Sequence, residues 1–292
     1  MSNYERRRIT TEDEDFLDLD CLLTGNSRLA ILCHGLGGSA RAPYMKSTAK
    51  EFQRRNFDVV AMNYRSCSEE VNRRAKMYGM MTYLDLETVI KAFEEEYSEI
   101  VLVGFSMGGN IVLNFMVHLL KNYKMIKGAV SVSAPCDVWD SITDFEKLGN
   151  GEYQEYFLDR MKDCLREKNK KYPGIFEEAG IKLEEVLQSK GLQAFDETFT
   201  VKIEGFKDVD EYYRTTSTKG KLHLITKPTL LLLPWDDIVV SKNCFPVEEG
   251  KKNPNLFFER PKFGGHLGYE SKNHIFGLEE RIVDFMLEEV VE

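Results

Sequence analysis

A chain of 292 residues with 42% hydrophobic and 30% charged residues has the make-up of a globular protein that builds its own core without disulfide support. Its net charge of −9 argues against nucleic acid as a partner and against an electrostatic hold on anionic lipid. The N-terminus is polar with no apolar run behind it, no stretch reaches the ~18–20 apolar residues that span a bilayer, and the six cysteines show neither a C-x-x-C pair nor zinc-ligand spacing. The expectation is a soluble, cytoplasmic protein with reduced thiols, no metal and no other cofactor.

Residues 9–23 alternate loosely and predict early antiparallel strands. Residues 29–33 form a short apolar strand, 43–56 a helix with Pro43 at its start, and 57–62 the next strand. A helix is expected over 83–97, a strand over 99–105, an apolar helix over 110–120 and a further strand over 126–132. From 137 to 220 this alternation breaks into charged, helix-like segments, with amphipathic helices expected over 155–168 and 181–190. Strands return at 228–233 and 255–258, and a helix closes the chain over 279–288. The pattern predicts one α/β domain spanning 1–292, with a mostly parallel sheet covered on both faces and a helical cap inserted at 137–220. The acidic runs at 94–96 and 288–289 read as solvated helix ends, and Arg73, Arg74 and Lys76 as a loop balancing Glu69 and Glu70.

Val101-Leu102-Val103-Gly104-Phe105-Ser106-Met107-Gly108-Gly109 fits Gly-x-Ser-x-Gly with an apolar strand before it and an apolar helix after it. That context turns a common pentapeptide pattern into a nucleophile elbow, a turn so sharp that only glycine fits at positions 104 and 108. A serine hydroxyl needs a base, and the base needs an orienting acid, following in the chain order Ser, Asp or Glu, His. Of five histidines, His266 lies in the glycine-rich loop between the last strand and last helix, where the base belongs. His34 reads as a brace for its loop, His118 lies too far along the elbow helix, His223 sits in a strand-like run and His274 near the last helix. The acid is expected after the strand ending near Leu233, where Asp236 and Asp237 are adjacent. Both fit Asp-x-x-Val, but only Asp237 has a turn residue, Pro234, three positions earlier. Asp237 is therefore preferred, with Asp236 as its rival, assigned to capping or to accepting loop N–H groups. The oxyanion donors are expected to be the backbone N–H groups of Met107, at a helix N-terminus, and Leu36, in the glycine-rich loop 34–39.

His34-Gly35-Leu36-Gly37-Gly38-Ser39, Pro43-Tyr44, Asn63-Tyr64-Arg65-Ser66-Cys67-Ser68 and Gly104-Phe105-Ser106-Met107-Gly108-Gly109-Asn110 together resemble the YheT-like branch of α/β hydrolases. Phe195-Asp196-Glu197-Thr198-Phe199-Thr200, Gly205-Phe206 and Tyr212-Tyr213-Arg214 look like that branch's insert signature. Family members usually have glycine where Ser66 stands, and the animal members carry an N-terminal membrane anchor not seen here. The resemblance implies a serine esterase or lipase acting on short- to medium-chain acyl esters or glycerolipids, with a small-molecule ester or lipid as its partner. Two other readings remain open: an acyltransferase using the same triad, and a non-catalytic binding protein on the same fold.

Overall fold

The computed structural model describes residues 4–267 and 277–291. The leading Met1, Ser2 and Asn3, Gly268 of the His266 loop, and His274 lie outside the described residues. Eight strands form one sheet in the order β1-β2-β4-β3-β5-β6-β7-β8. β1 (Glu5–Thr10) and β2 (Phe16–Leu22) pair antiparallel, with Arg6 opposite Asp20 and Arg8 opposite Asp18. Those opposed charges close into ion pairs at 2.6 and 2.7 Å, so charge complementarity across the ladder supports the register.

β3 (Arg28–Cys33), α1 (Pro43–Arg54) and β4 (Asp58–Asn63) follow. α1 stops short of the expected residue 56 because Asn56 turns into the left-handed region at φ 61°. Ser66, in the loop after β4, has φ 64°, in the left-handed backbone region that favours glycine. Two hydrogen bonds with Asn72 hold it there: its N–H donates to the Asn72 side chain, and its hydroxyl accepts the Asn72 N–H.

α2 (Tyr83–Lys91) is shorter than the expected 83–97. Three consecutive glutamates, 94–96, would crowd the negative end of a longer helix. β5 (Glu99–Phe105), α3 (Met107–His118) and β6 (Ile126–Val132) continue the parallel array. Between β6 and β7 the chain builds α4 (Val138–Phe145), α5 (Glu152–Lys171), α6 (Ile175–Glu178), α7 (Leu183–Leu187), α8 (Leu192–Phe195), α9 (Val201–Glu204) and α10 (Val209–Thr216). α5 runs longer than expected at both ends, and buries the stripe Leu158, Met161 and Leu165. β7 (Thr229–Leu232), α11 (Val247–Lys252), β8 (Leu256–Glu259) and α12 (Leu278–Phe285) complete the described elements.

Side chains alternate across the sheet as the strand period requires. Leu29, Ile31, Ile100 and Leu102 join the core on the α2–α3 face, while Ala30, Leu32, Val101 and Val103 join the α1–α12 face. Phe145, Leu158, Leu165, Phe195 and Phe199 of the 137–220 segment belong to the α2–α3 core. The basic residues 73–76 turn out not to balance Glu69 and Glu70. Arg74 pairs with Glu14 and Lys76 with Glu204, whereas Glu70 pairs with Arg8 and Lys171, and Glu69 with Arg41. No helix among the described residues is long and apolar enough to cross a membrane.

Candidate active site

Strand order reverses direction beside β3, which has β4 on one side and β5 on the other. In open α/β sheets a crevice forms at the carboxyl ends of the strands at such a point. Leu36 follows β3, Ser106 follows β5, Asp237 follows β7 and His266 follows β8, so all reach the same edge of the sheet.

Ser106 has φ 54° and ψ −119°, a conformation that costs a non-glycine residue roughly 1–3 kcal/mol and that local packing must enforce. Its N–H donates to the Val132 carbonyl at 2.8 Å. A Cβ on Gly104 would stand 2.1 Å from the Gly108 carbonyl oxygen, and one on Gly108 would stand 2.3 Å from that of Cys33. The two glycines of the motif are thus required by close backbone approach.

His266 Nε2 lies 2.9 Å from Ser106 Oγ, and its Nδ1 lies 2.9 Å from Asp237 Oδ2. A carboxylate only accepts, so Nδ1 carries the proton and Nε2 is left to accept from the serine hydroxyl. The other Asp237 oxygen accepts the N–H groups of Val239 and Val240 at 2.8 and 3.2 Å. Asp237 is buried, whereas Asp236 is exposed, points elsewhere and accepts the Gly265 N–H at 2.9 Å. A hydroxyl, an imidazole and a buried carboxylate in one hydrogen-bonded line can move a proton off the hydroxyl and later return it.

Leu36 and Met107 both line the cavity that contains Ser106 and His266. Neither backbone N–H donates to any acceptor among the described residues. The loop carrying Leu36 is held by two phenols: the Tyr44 hydroxyl accepts the Gly35 N–H at 3.0 Å, and the Tyr78 hydroxyl accepts the Gly37 N–H at 3.2 Å. His34 braces the same loop from below. Its Nδ1 donates to the Gly35 carbonyl at 2.7 Å, and burial pushes the imidazole down to about 4, so it stays neutral.

His118 stacks on Tyr83, and His223 sits in a short 3-10 turn (Leu222–Leu224) rather than in a strand. Sequence reasoning missed three supports. The Ser133 hydroxyl, just beyond β6, donates to the His266 carbonyl at 2.5 Å. Lys242 Nζ donates to the carbonyls of Trp235 and Asp237, bracing the acid's turn. Tyr78 is the third. The only sequence signal for any of them was their position within a few residues of a strand end or loop already singled out.

The cavity encloses about 470 Å³ and is lined mainly by apolar side chains. Val138, Ile142, Phe145, Phe157, Met161 and Leu192 come from the 137–220 segment. 

Residues 26–172 match the family described as serine aminopeptidase, S33. The chain is 29% identical over 290 residues to the putative esterase YheT of Escherichia coli, covering 96% of this chain and 84% of that one. It is 26% identical over 280 residues to the phospholipase ABHD3 of Bos taurus, covering 92% and 67% respectively. Among solved structures, the Pyrococcus furiosus esterase PF2001 superposes with a TM-score of 0.64 at 19% identity, covering 99% of this chain and 92% of that one. The fold is that of an α/β-hydrolase.

Proposed function

The chain belongs to the α/β-hydrolase family described as serine aminopeptidase, S33, and its serine-hydrolase chemistry is that of an esterase; from that premise we propose that Ser106, His266 and Asp237 hydrolyse short- to medium-chain acyl esters through an acyl-enzyme. The observation that carries this reading is the continuous line from Ser106 Oγ through His266 to buried Asp237. Ser106 attacks the ester carbonyl while His266 Nε2 takes its proton. Asp237 holds the Nδ1–H and stabilises the imidazolium. The tetrahedral oxyanion is held by the N–H groups of Met107, at the start of α3, and Leu36. His266 then protonates the leaving alcohol, and water repeats the sequence to release the acid.

The segment 137–220 acts as a cap that supplies the acyl pocket. A cavity of about 470 Å³ lies within the range of about 300–1,000 Å³ that small-molecule ligands occupy, which favours a compact acyl ester. A fluorophosphonate probe is expected to label the wild-type protein and not Ser106→Ala. Equal labelling of both would overturn the assignment of Ser106 as nucleophile.

A further inference from the structure

The cap places a carboxyl group in the wall of this otherwise apolar cavity. Asp196 opens a π-helical turn (Asp196–Thr200) between α8 and α9, an irregularity that recurs at functional sites. Asp196 and Thr200 both line the cavity with Ser106. The Thr200 hydroxyl donates to one Asp196 oxygen at 2.6 Å, and the Tyr213 hydroxyl donates to the other at 2.8 Å. Burial pushes this carboxyl up to about 6 against the pull of the two hydroxyls. The charged neighbour that acts on it, Glu146, has the same sign, and no cation among the described residues offsets it.

A carboxylate offers about four acceptor positions, and only two are filled here. A buried carboxyl without a cation is costly unless further donors complete it. Tyr212 lines the same cavity, with its ring 5.5 Å from that of Tyr213, and its hydroxyl accepts the Met80 N–H at 2.9 Å while donating its own proton to nothing among the described residues. The wall therefore offers one acceptor and one donor together. A hydroxyl group satisfies both at once, an ammonium group satisfies only the acceptor, and an alkyl group satisfies neither.

We propose that Asp196 and Tyr212 form a subsite for a hydroxyl group on the substrate, so that this enzyme prefers hydroxyl-bearing esters to plain alkyl esters. The proposal rests on the esterase reading above. Two sets of matched substrates, each taken through a series of chain lengths, test it on the full chain. p-Nitrophenyl hydroxyalkanoates against p-nitrophenyl alkanoates place the hydroxyl on the acyl side. Diol monoesters against alkanol esters place it on the alcohol side. In one set, at some length, kcat/KM is expected to be about tenfold higher for the hydroxyl member, the worth of a hydrogen bond to a charged group. That ratio should fall several-fold toward one in Asp196→Asn and, independently, in Tyr212→Phe, with thermal melting checking that each variant is folded. Esters turned over with equal kcat/KM at every length would overturn the subsite and leave the esterase reading standing. Aminoalkanoates preferred over hydroxyalkanoates would overturn it too, marking a cation site instead. No turnover of any ester, together with no probe labelling at Ser106, would overturn both readings.

Discussion

Asp236 and Asp237 are chain neighbours with the same chemistry, and their surroundings separate them. Asp237 is buried, holds two backbone N–H groups with one oxygen and meets His266 with the other. Asp236 accepts a single N–H on an exposed loop. Replacing Asp237 with asparagine would keep the shape of the turn but present an amide to His266 Nδ1. The imidazole would then adopt the opposite tautomer and direct a proton, rather than a lone pair, at Ser106. Asp237→Asn is expected to lower kcat by about ten-thousand-fold, the scale seen when a triad acid is neutralised in place. Asp236→Ala removes one hydrogen bond to Gly265, worth about 1 kcal/mol, and should lower kcat less than about tenfold. Steady-state ester hydrolysis by the two variants checks the assignment, and a larger loss in Asp236→Ala would reverse it.

At the scale of elements, α3 connects the 137–220 segment, the loop after β3 and the sheet. Its first turn runs against the end of β3, where the Cβ of an alanine at 108 would stand 2.3 and 2.5 Å from the carbonyl oxygens of Cys33 and His34. Further along, the buried amides of Asn110 and Asn114 both donate to the Thr216 carbonyl at the end of α10, tying α3 to the 137–220 segment. A second tie comes from α5, where buried Lys168 donates to the carbonyls of Arg74 and Lys76. In a free helix, glycine to alanine would gain about 1 kcal/mol. Here the new methyl meets backbone on two sides, and neither carbonyl can swing away without parting β3 from α3. Gly108→Ala is therefore expected to destabilise by about 1–3 kcal/mol or more, and to reduce probe labelling of Ser106 as the elbow shifts. Thermal denaturation decides the sign: a variant melting at or above the wild-type temperature would show that the helix preference outweighs the clash.

Across the whole molecule, what could be read in the sequence was whatever is local. The parallel strands are apolar runs bounded by turn residues, and the elbow is a contiguous motif, so both were visible without tertiary information. The short helices α4, α8 and α10 were not, because each is completed by contacts with distant chain, such as the bond the Val138 N–H at the start of α4 donates to the Ser217 hydroxyl. Ser133 was invisible for the same reason, since its partner His266 lies on a loop that becomes its neighbour only when β6, β7 and β8 align. Titration is a property of this same scale, because it sums groups that never touch. Burial holds His34 at about 4 against an ordinary 6.5, so the unfolded chain takes up that proton first and stability is lost as pH falls through this window. Burial holds Asp196 at about 6 against an ordinary 3.8, so the folded chain takes up its proton first and stability is gained as pH falls through nearly the same window. Lower down, burial raises Asp13, but Arg65 and the Thr11 hydroxyl outweigh it and hold the carboxyl at about 2. Asp18 and Asp58 are likewise lowered despite burial, by Arg8 with Ser68 and by the Thr24 and Tyr97 donors respectively. Stability from these three is fully present above their ordinary 3.8 and is lost as pH falls through their lowered folded values, that of Asp13 lying at about 2. The melting temperature of the wild-type protein should thus stay nearly level from about pH 6.5 to about pH 4 and then fall steeply. Asp196→Asn removes the compensating gain, so its melting temperature should decline throughout the upper window as well. Scanning calorimetry of both proteins across this range tests the balance, and parallel curves above about pH 4 would mean that folding does not raise the Asp196 carboxyl above its ordinary value.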